Sequence, residues 1–127
     1  MSNLKKIDIK ESYTINEVLD NVIPYTGEKH YVIFDGDLMK MESQRYRLFK
    51  RDGVTCVNCK NNGVFFRKEK HQHDKTYHFN LYGYDIYGKE LLFTKDHIIP
   101  KSKGGKNIMS NYQVMCYTCN HEKGNTY

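Results

Sequence analysis

Cys56-Val57-Asn58-Cys59 and Cys116-Tyr117-Thr118-Cys119 are two C-x-x-C pairs in a chain of 127 residues that has no further cysteine. At this spacing each pair forms a knuckle that turns two thiolates toward one tetrahedral ion. Two knuckles complete a closed four-cysteine zinc site. Four thiolates leave no open coordination position, so the expected Zn²⁺ is structural. The gap between the pairs is longer than in a compact zinc ribbon, and the segment between them reads as an inserted hairpin that the metal bridges. Four buried, unligated cysteines would make the matched spacing a coincidence.

A structural metal suits the rest of the composition. Only 39% of residues are hydrophobic, low for a self-sufficient core, although eleven are tyrosine. A chain this short buries a modest core, and a metal supplies part of what it lacks. The net charge of +5 is unevenly placed. Residues 1–39 hold four Lys against seven Asp/Glu, whereas residues 40–127 hold sixteen Lys/Arg against eight Asp/Glu. The basic part also carries all the cysteines, which favours a polyanionic partner there. The first residues, MSNLKKIDIKESY, lack the apolar segment of a signal peptide. Apolar runs such as Tyr31-Val32-Ile33-Phe34 are far too short to span a membrane. A soluble, cytoplasmic protein is expected, and in that compartment cysteines serve metals more often than disulfides.

Working outward, Leu4, Ile7 and Ile9 alternate as in a short strand. Thr14 and Glu17 stand at the two positions of a capping box, with Ile15, Val18, Leu19 and Val22 on one face of the helix that follows. Residues 30–39 read as two strands around an Asp35-Gly36-Asp37 turn. Residues 42–50 form a basic helix. Residues 65–76, FFRKEKHQHDKT, are so charged that a hairpin arm or mobile loop is expected. Residues 77–84 and 89–94 flank Asp85-Ile86-Tyr87-Gly88 as a hairpin whose second strand runs into Asp96-His97. Residues 100–107 are a basic turn, 112–115 a strand, and 119–123 a short helix.

The densest pattern lies at residues 95–125. Asp96-His97-Ile98-Ile99-Pro100, then Ser102-Lys103-Gly104-Gly105, Asn111, and Cys116-Tyr117-Thr118-Cys119-Asn120 through Lys123-Gly124 occur in order. This pattern resembles the HNH endonuclease signature, the ββα-metal motif, in the variety with flanking cysteine knuckles common in phage-borne and mobile-element nucleases. The resemblance covers about residues 44–127. It implies that His97 is the general base taking the water proton, and that Asp96 and Asn120 bind a catalytic divalent metal. It further implies that Asn111 braces the loop carrying the histidine, and that the products are 5′-phosphate and 3′-hydroxyl ends. The chemistry agrees. Phosphodiester hydrolysis needs an activated water and a cation on the phosphate, and histidine titrates near neutrality. One carboxylate and one amide carbonyl are hard ligands that suit Mg²⁺ or Mn²⁺.

Lys123 lies one helical turn beyond Asn120 and shares its face, so it either contacts phosphate or simply ends the helix. Lys101, Lys103, Lys106, Arg45, Arg47 and Arg51 are candidate contacts to the nucleic-acid backbone, or else solvated surface charges. Tyr77, Tyr82, Tyr84 and Tyr87 on the hairpin either reach a groove or pack. By register the last position of the motif belongs to Asn120, which makes His121 a solvent-facing residue. His71, His73 and His78 have charged neighbours and no partner pair, as in a loop. One geometric condition attaches to the site. Successive strand residues face opposite ways, so Asp96 and His97 converge only where the strand ends.

Together these readings give an α+β fold. A ββα-metal core with an inserted β-hairpin and a four-cysteine zinc site occupies residues 44–127, and a small N-terminal α/β extension occupies residues 1–43. The expected function is a metal-dependent DNA endonuclease acting on double-stranded DNA. A non-catalytic zinc-stapled binding module is the alternative, disfavoured because a binder needs none of Asp96, His97 and Asn120. An interaction protein working through the acidic N-terminal segment is a third reading.

Overall fold

The computed structural model describes residues 7–124 and 126, with side chains from residue 11 onward. Twelve short elements include seven strands and three α-helices. Five strands form one antiparallel sheet in the order β1-β4-β5-β6-β7, and β2 and β3 form a separate two-stranded hairpin. The α/β mixture expected from the sequence is present. Of the predicted first strand, Leu4 lies outside the described residues.

β1 (Ile7–Thr14) ends where Thr14 caps α1 (Ile15–Leu19). The predicted capping box is formed: the Thr14 hydroxyl accepts from Glu17 N at 3.1 Å, and Glu17 Oε1 accepts from Thr14 N at 2.9 Å. Val18 and Leu19 on its inner face are buried. β2 (Tyr31–Phe34) and β3 (Asp37–Lys40) close through a two-residue turn in which Asp35 and Gly36 both have positive φ, 47° and 85°. Aspartate followed by glycine is the sequence such a turn selects. α2 (Gln44–Asp52) starts at Ser43, whose hydroxyl caps Tyr46 N, and ends at Gly53.

Of the two readings of the charged stretch 65–76, the hairpin arm is formed and the mobile loop is not. Residues 65–71 form β4 (Phe65–His71), a sheet strand paired on one side with β1 and on the other with β5, and only residues after it turn. The charges are accommodated because the fold neutralises them internally. Lys68, fully buried, donates to Phe34 O at 2.8 Å and Asp37 Oδ2 at 2.9 Å, and pairs with Glu11 at 3.2 Å. Glu69, also buried, accepts from Asn80 and from the Tyr82 hydroxyl. A buried charge is tolerated where partners replace its water, and here they do.

β5 (His78–Tyr84) and β6 (Glu90–His97) form the expected hairpin, but β6 changes partners along its length. It pairs with β5 only through Glu90–Leu92 and then with β7 (Tyr112–Cys116) through Phe93–His97. α3 (Tyr117–Lys123) follows β7 directly. A single apolar cluster runs from Tyr13 and Val18 through Phe49, Phe66, Phe79 and Phe93 to Cys119, so the segment before residue 44 shares its core with the rest. Phe79 sits at its centre, meeting Tyr13, Phe34 and Phe66 edge-on. No helix among the described residues is long and apolar enough to cross a membrane.

Candidate functional site

α3 is the pivot of two sites, because its residues 119 and 120 face different neighbours. Behind it, the sulfurs of Cys56, Cys59, Cys116 and Cys119 all lie within 4.8 Å of one another. A Zn–S bond of about 2.3 Å places tetrahedral sulfurs about 3.8 Å apart. The Cys59–Cys116 separation is 3.9 Å, so the cluster is one that fits zinc. Knuckle bonds hold it: Cys119 N donates to Cys116 Sγ and Asn58 Nδ2 to Cys119 Sγ, each at 3.4 Å. Val57 N donates to Val114 O at 3.0 Å, tying the first knuckle to β7. The thiols ionise unequally. Burial raises Cys56, but backbone hydrogen bonds from Cys116, Cys59 and Asn58 outweigh it and bring it down to about 7. Burial pushes Cys116 up to about 12. A divalent cation is what lets four such groups be thiolates together.

In front of α3, a cleft of about 240 Å³ is lined by Asp96, His97, Lys101, Asn120 and Lys123, among others. The strand does end where the two adjacent residues need it to. β6 stops at His97, Ile98 N donates to Asn111 O at 2.8 Å, and a 3₁₀ turn follows at Lys101–Lys103. Asp96 points beneath α3 and is buried, while the His97 ring lies edge-on to Tyr112 at 5.0 Å, yet both border the cleft.

Each cleft residue is fixed by an identifiable partner. Asp96 Oδ2 accepts from Gln113 Nε2, its cross-strand neighbour, at 2.9 Å, and forms an ion pair with Lys123 Nζ at 3.3 Å. Lys123 Nζ also donates to His97 O at 2.9 Å, so α3 is latched to the end of β6. His97 Nε2 lies 2.7 Å from Asn107 Oδ1. Asn111 clamps the intervening loop: its Oδ1 accepts from Ile99 N at 2.9 Å, and its Nδ2 donates to Ile99 O and Lys106 O at 3.1 and 3.0 Å. That loop folds back so tightly that a Cβ on Gly105 would lie 1.7 Å from Ile99 O, which only glycine permits.

Asn120 shows how hydrogen-bond logic orients an amide. The Thr94 hydroxyl donates its single proton to Met115 O at 2.7 Å, so it can only accept from Asn120. Asn120 Nδ2 therefore takes that contact at 2.8 Å, and the amide oxygen faces away from Thr94. Thr94, Gln113 and Asn107 were missed in the sequence. Thr94 and Gln113 carried a usable signal, since one lies two residues before Asp96 on the same strand face and the other is paired with Asp96 across β6 and β7. Asn107 carried none.

The basic candidates do not converge on one place. Lys101 borders the cleft, and Lys103 and Lys106 are exposed on the loop beside it. Arg45 reaches a neighbouring cleft. Arg47 lies over the Tyr25 ring at 4.6 Å. Arg51 is engaged by Asp52, Met109 O and Tyr112 O, where it ties α2 to β7. His121 is exposed and stacks on Tyr117. His71, His73 and His78 gather no third ligand, and among the described residues the cysteine cluster is the one group of three or more potential metal ligands found. Asp35 accepts from the Tyr13 hydroxyl and Asp37 from Lys68, so the turn carboxylates are structural. Tyr82 packs between Phe65 and Arg67.

A hairpin ending in an Asp-His pair, a clamped loop, a knuckle strand and a short helix thus form one continuous unit. Residues 85–127 match the model of the HNH endonuclease family. The matched HNH segment opens at the β5–β6 turn and takes in β6, β7 and α3, which bears out the resemblance read from the motif. An HNH endonuclease segment implies a nuclease, a hydrolase acting on nucleic acid. Neither the curated proteins nor the solved structures compared contain a match to the chain.

Proposed function

We propose that the protein is a metal-dependent endonuclease that hydrolyses DNA phosphodiester bonds in the cleft between β6 and α3, with the four-cysteine cluster holding a structural zinc. The observation that carries this reading is the convergence of Asp96, His97 and Asn120 on one cleft, although they come from both ends of the segment.

Asp96 and Asn120 fit a hard divalent cation such as Mg²⁺ or Mn²⁺. Gln113 and Lys123 both meet Asp96 at Oδ2, and Thr94 turns the Asn120 amide oxygen away from itself, so Asp96 Oδ1 and the Asn120 carbonyl oxygen are the atoms that would hold the ion. Such an ion, when bound, supplies charge stabilisation at the scissile phosphate. His97 holds and moves the proton. Asn107 Oδ1 is an acceptor, so the facing Nε2 carries the hydrogen and Nδ1 keeps the lone pair to take a proton from water. Asn111 keeps the loop after His97 in place, a positioning role. Lys123 fixes the end of β6 and keeps a cation at the cleft wall, and Lys101, Lys103 and Lys106 are placed to meet the phosphates on either side.

Incubation of supercoiled plasmid with wild type and His97→Ala, in Mg²⁺ or EDTA, tests the reading. Nicking is expected from wild type in Mg²⁺ and from none of the other combinations. A wild-type protein that cuts nothing in any divalent metal, yet binds DNA, would be the zinc-stapled module instead.

A further inference from the structure

Beside the nuclease cleft lies a second and larger one, of about 710 Å³. Its walls include Tyr25, Lys40, Arg45, Tyr77 and His78, and it meets the nuclease cleft at Lys95, which lines both. The size suits one or two nucleotide units, since ligand clefts run to about 300–1,000 Å³.

Two half-buried cations, Arg45 and Lys95, line this cleft, and both are held by neutral groups. Arg45 donates to Asn80 Oδ1 at 2.8 Å and Phe79 O at 2.6 Å. Lys95 donates to Gln44 Oε1 at 3.0 Å and lies over the Tyr112 ring at 4.2 Å. Every one of these acceptors is neutral. Lys68, Arg67 and Lys123 by contrast pair with carboxylates, Asp37 and Glu11, Glu90, and Asp96, while Arg47, like Arg45 and Lys95, meets only a carbonyl and a ring. The carboxylates near the large cleft do not serve the pair: Glu42 accepts from His30 N at 3.0 Å and pairs with Lys40 at 3.7 Å, and Glu28 is exposed on the rim. Like charges held together and partly dehydrated are stabilised by an arriving anion.

Beyond the cations the cleft offers ring faces. Tyr25 is 61% exposed, with Arg47 over one face of its ring, and Tyr77, which also meets the Lys68 and Lys70 ammoniums, and His78 line the cleft as well. Aromatic faces combined with cations in a concave groove bind unpaired bases, because a base kept in its duplex stack has no free face to offer.

We propose that Arg45 and Lys95 bind a phosphate adjoining the scissile one and lead an unpaired strand into the Tyr25–Tyr77–His78 cleft, so that the preferred substrate is single-stranded at the cut. The inference rests on the nuclease reading for the direction of the strand, and on the second cleft alone for its chemistry.

Fluorescence anisotropy in EDTA, with the full chain, tests the binding. The probes are a labelled 12-nucleotide DNA, the RNA of the same sequence, and the corresponding DNA duplex. An unpaired strand should bind at least about tenfold tighter than the duplex, with the sugar preference showing which polynucleotide is meant. Lys95→Gln and Arg45→Gln should each weaken that binding about five- to tenfold and flatten its salt dependence by about one ion. Lys95→Arg should restore it, and Tyr77→Ala should weaken it by about tenfold. Duplex bound as well as single strand, or Lys95→Gln and Arg45→Gln binding as wild type does, overturns the proposal. Plasmid nicking by the same preparations separates the two readings. A protein that nicks but shows no preference for unpaired strands loses only the second cleft. One that binds single strands through Lys95 but cleaves neither the plasmid nor the labelled 12-nucleotide strand in Mg²⁺ loses only the nuclease.

Discussion

Cys119 and Asn120 are neighbours on α3, yet the regions they serve differ in every chemical respect. The cysteine cluster supplies a full tetrahedral set: four sulfurs lie within 4.8 Å of one another, and three of the four residues are buried. The cleft is open: oxygens and nitrogens of Asp96, His97 and Asn120 border solvent-accessible space, with Lys101 and Lys123 at its walls. A soft, saturated donor set gives stability, whereas a hard, unsaturated one leaves positions for water and phosphate. A seven-residue helix is far too short to persist alone, so the cluster is what makes the cleft possible.

The harshest way to break this contrast is to remove the second knuckle. Cys116→Ser with Cys119→Ser should release a stoichiometric zinc, measured by elemental analysis, and abolish the cooperative melt of the C-terminal half, since structural zinc is worth on the order of 10 kcal/mol. A double variant that melts as wild type does would show that the cluster does not hold the cleft. His97→Ala should do the reverse. It should reduce the nicking rate by about 10²- to 10⁴-fold while zinc content and melting temperature stay near wild type.

Thr94→Val sharpens the comparison at the boundary between the regions. It removes the hydroxyl that orients the Asn120 amide and should cost about tenfold in cleavage rate, with a higher Mg²⁺ requirement and unchanged zinc content. Thr94→Ser should restore both, and a Thr94→Val enzyme with normal Mg²⁺ dependence would remove the orienting role.

The smallest effect is expected away from both regions, at Arg67 and Glu90 on β4 and β6. The Arg67 guanidinium bonds Glu90 at 2.8 Å and holds its carboxyl below the usual range. A depressed carboxyl pKa adds stability above its unfolded value, near 4.3, that is lost as pH falls through the folded value. Glu90→Gln should therefore lower the melting temperature by about 1–3 °C at pH 7, and the difference should vanish in acid. A difference that persists at low pH would mean packing, not charge, is responsible.

Much of this was legible in the chain. The paired cysteine spacing foretold the cluster because ligand geometry dictates the spacing itself. Thr14 and Glu17, Asp35-Gly36 and the residue 85–88 turn foretold their elements because caps and turns are local, settled by a few residues in contact along the chain. The order of Asp96, His97, Asn111 and Asn120 pointed to one cleft for the same reason that it matched a family: the motif spans a short hairpin and helix.

What stayed hidden depends on residues far apart in sequence. A loop stayed open as a reading of β4 because Lys68 and Glu69 are charged, and their partners Asp37, Glu11, Asn80 and Tyr82 come from β3, β1 and β5. The second cleft is assembled from segments far apart in the chain, residues 25–29, 40–46, 76–78 and Lys95, and no pattern within any one of them marks it. Sequence alone determined the ligands and the local turns, since these are fixed by the chemistry of neighbouring residues. Tertiary structure alone decided which cations meet a carboxylate and which, like Arg45 and Lys95, are held by neutral acceptors at a cleft, because electrostatic pairing acts through space between strands that the chain order does not connect.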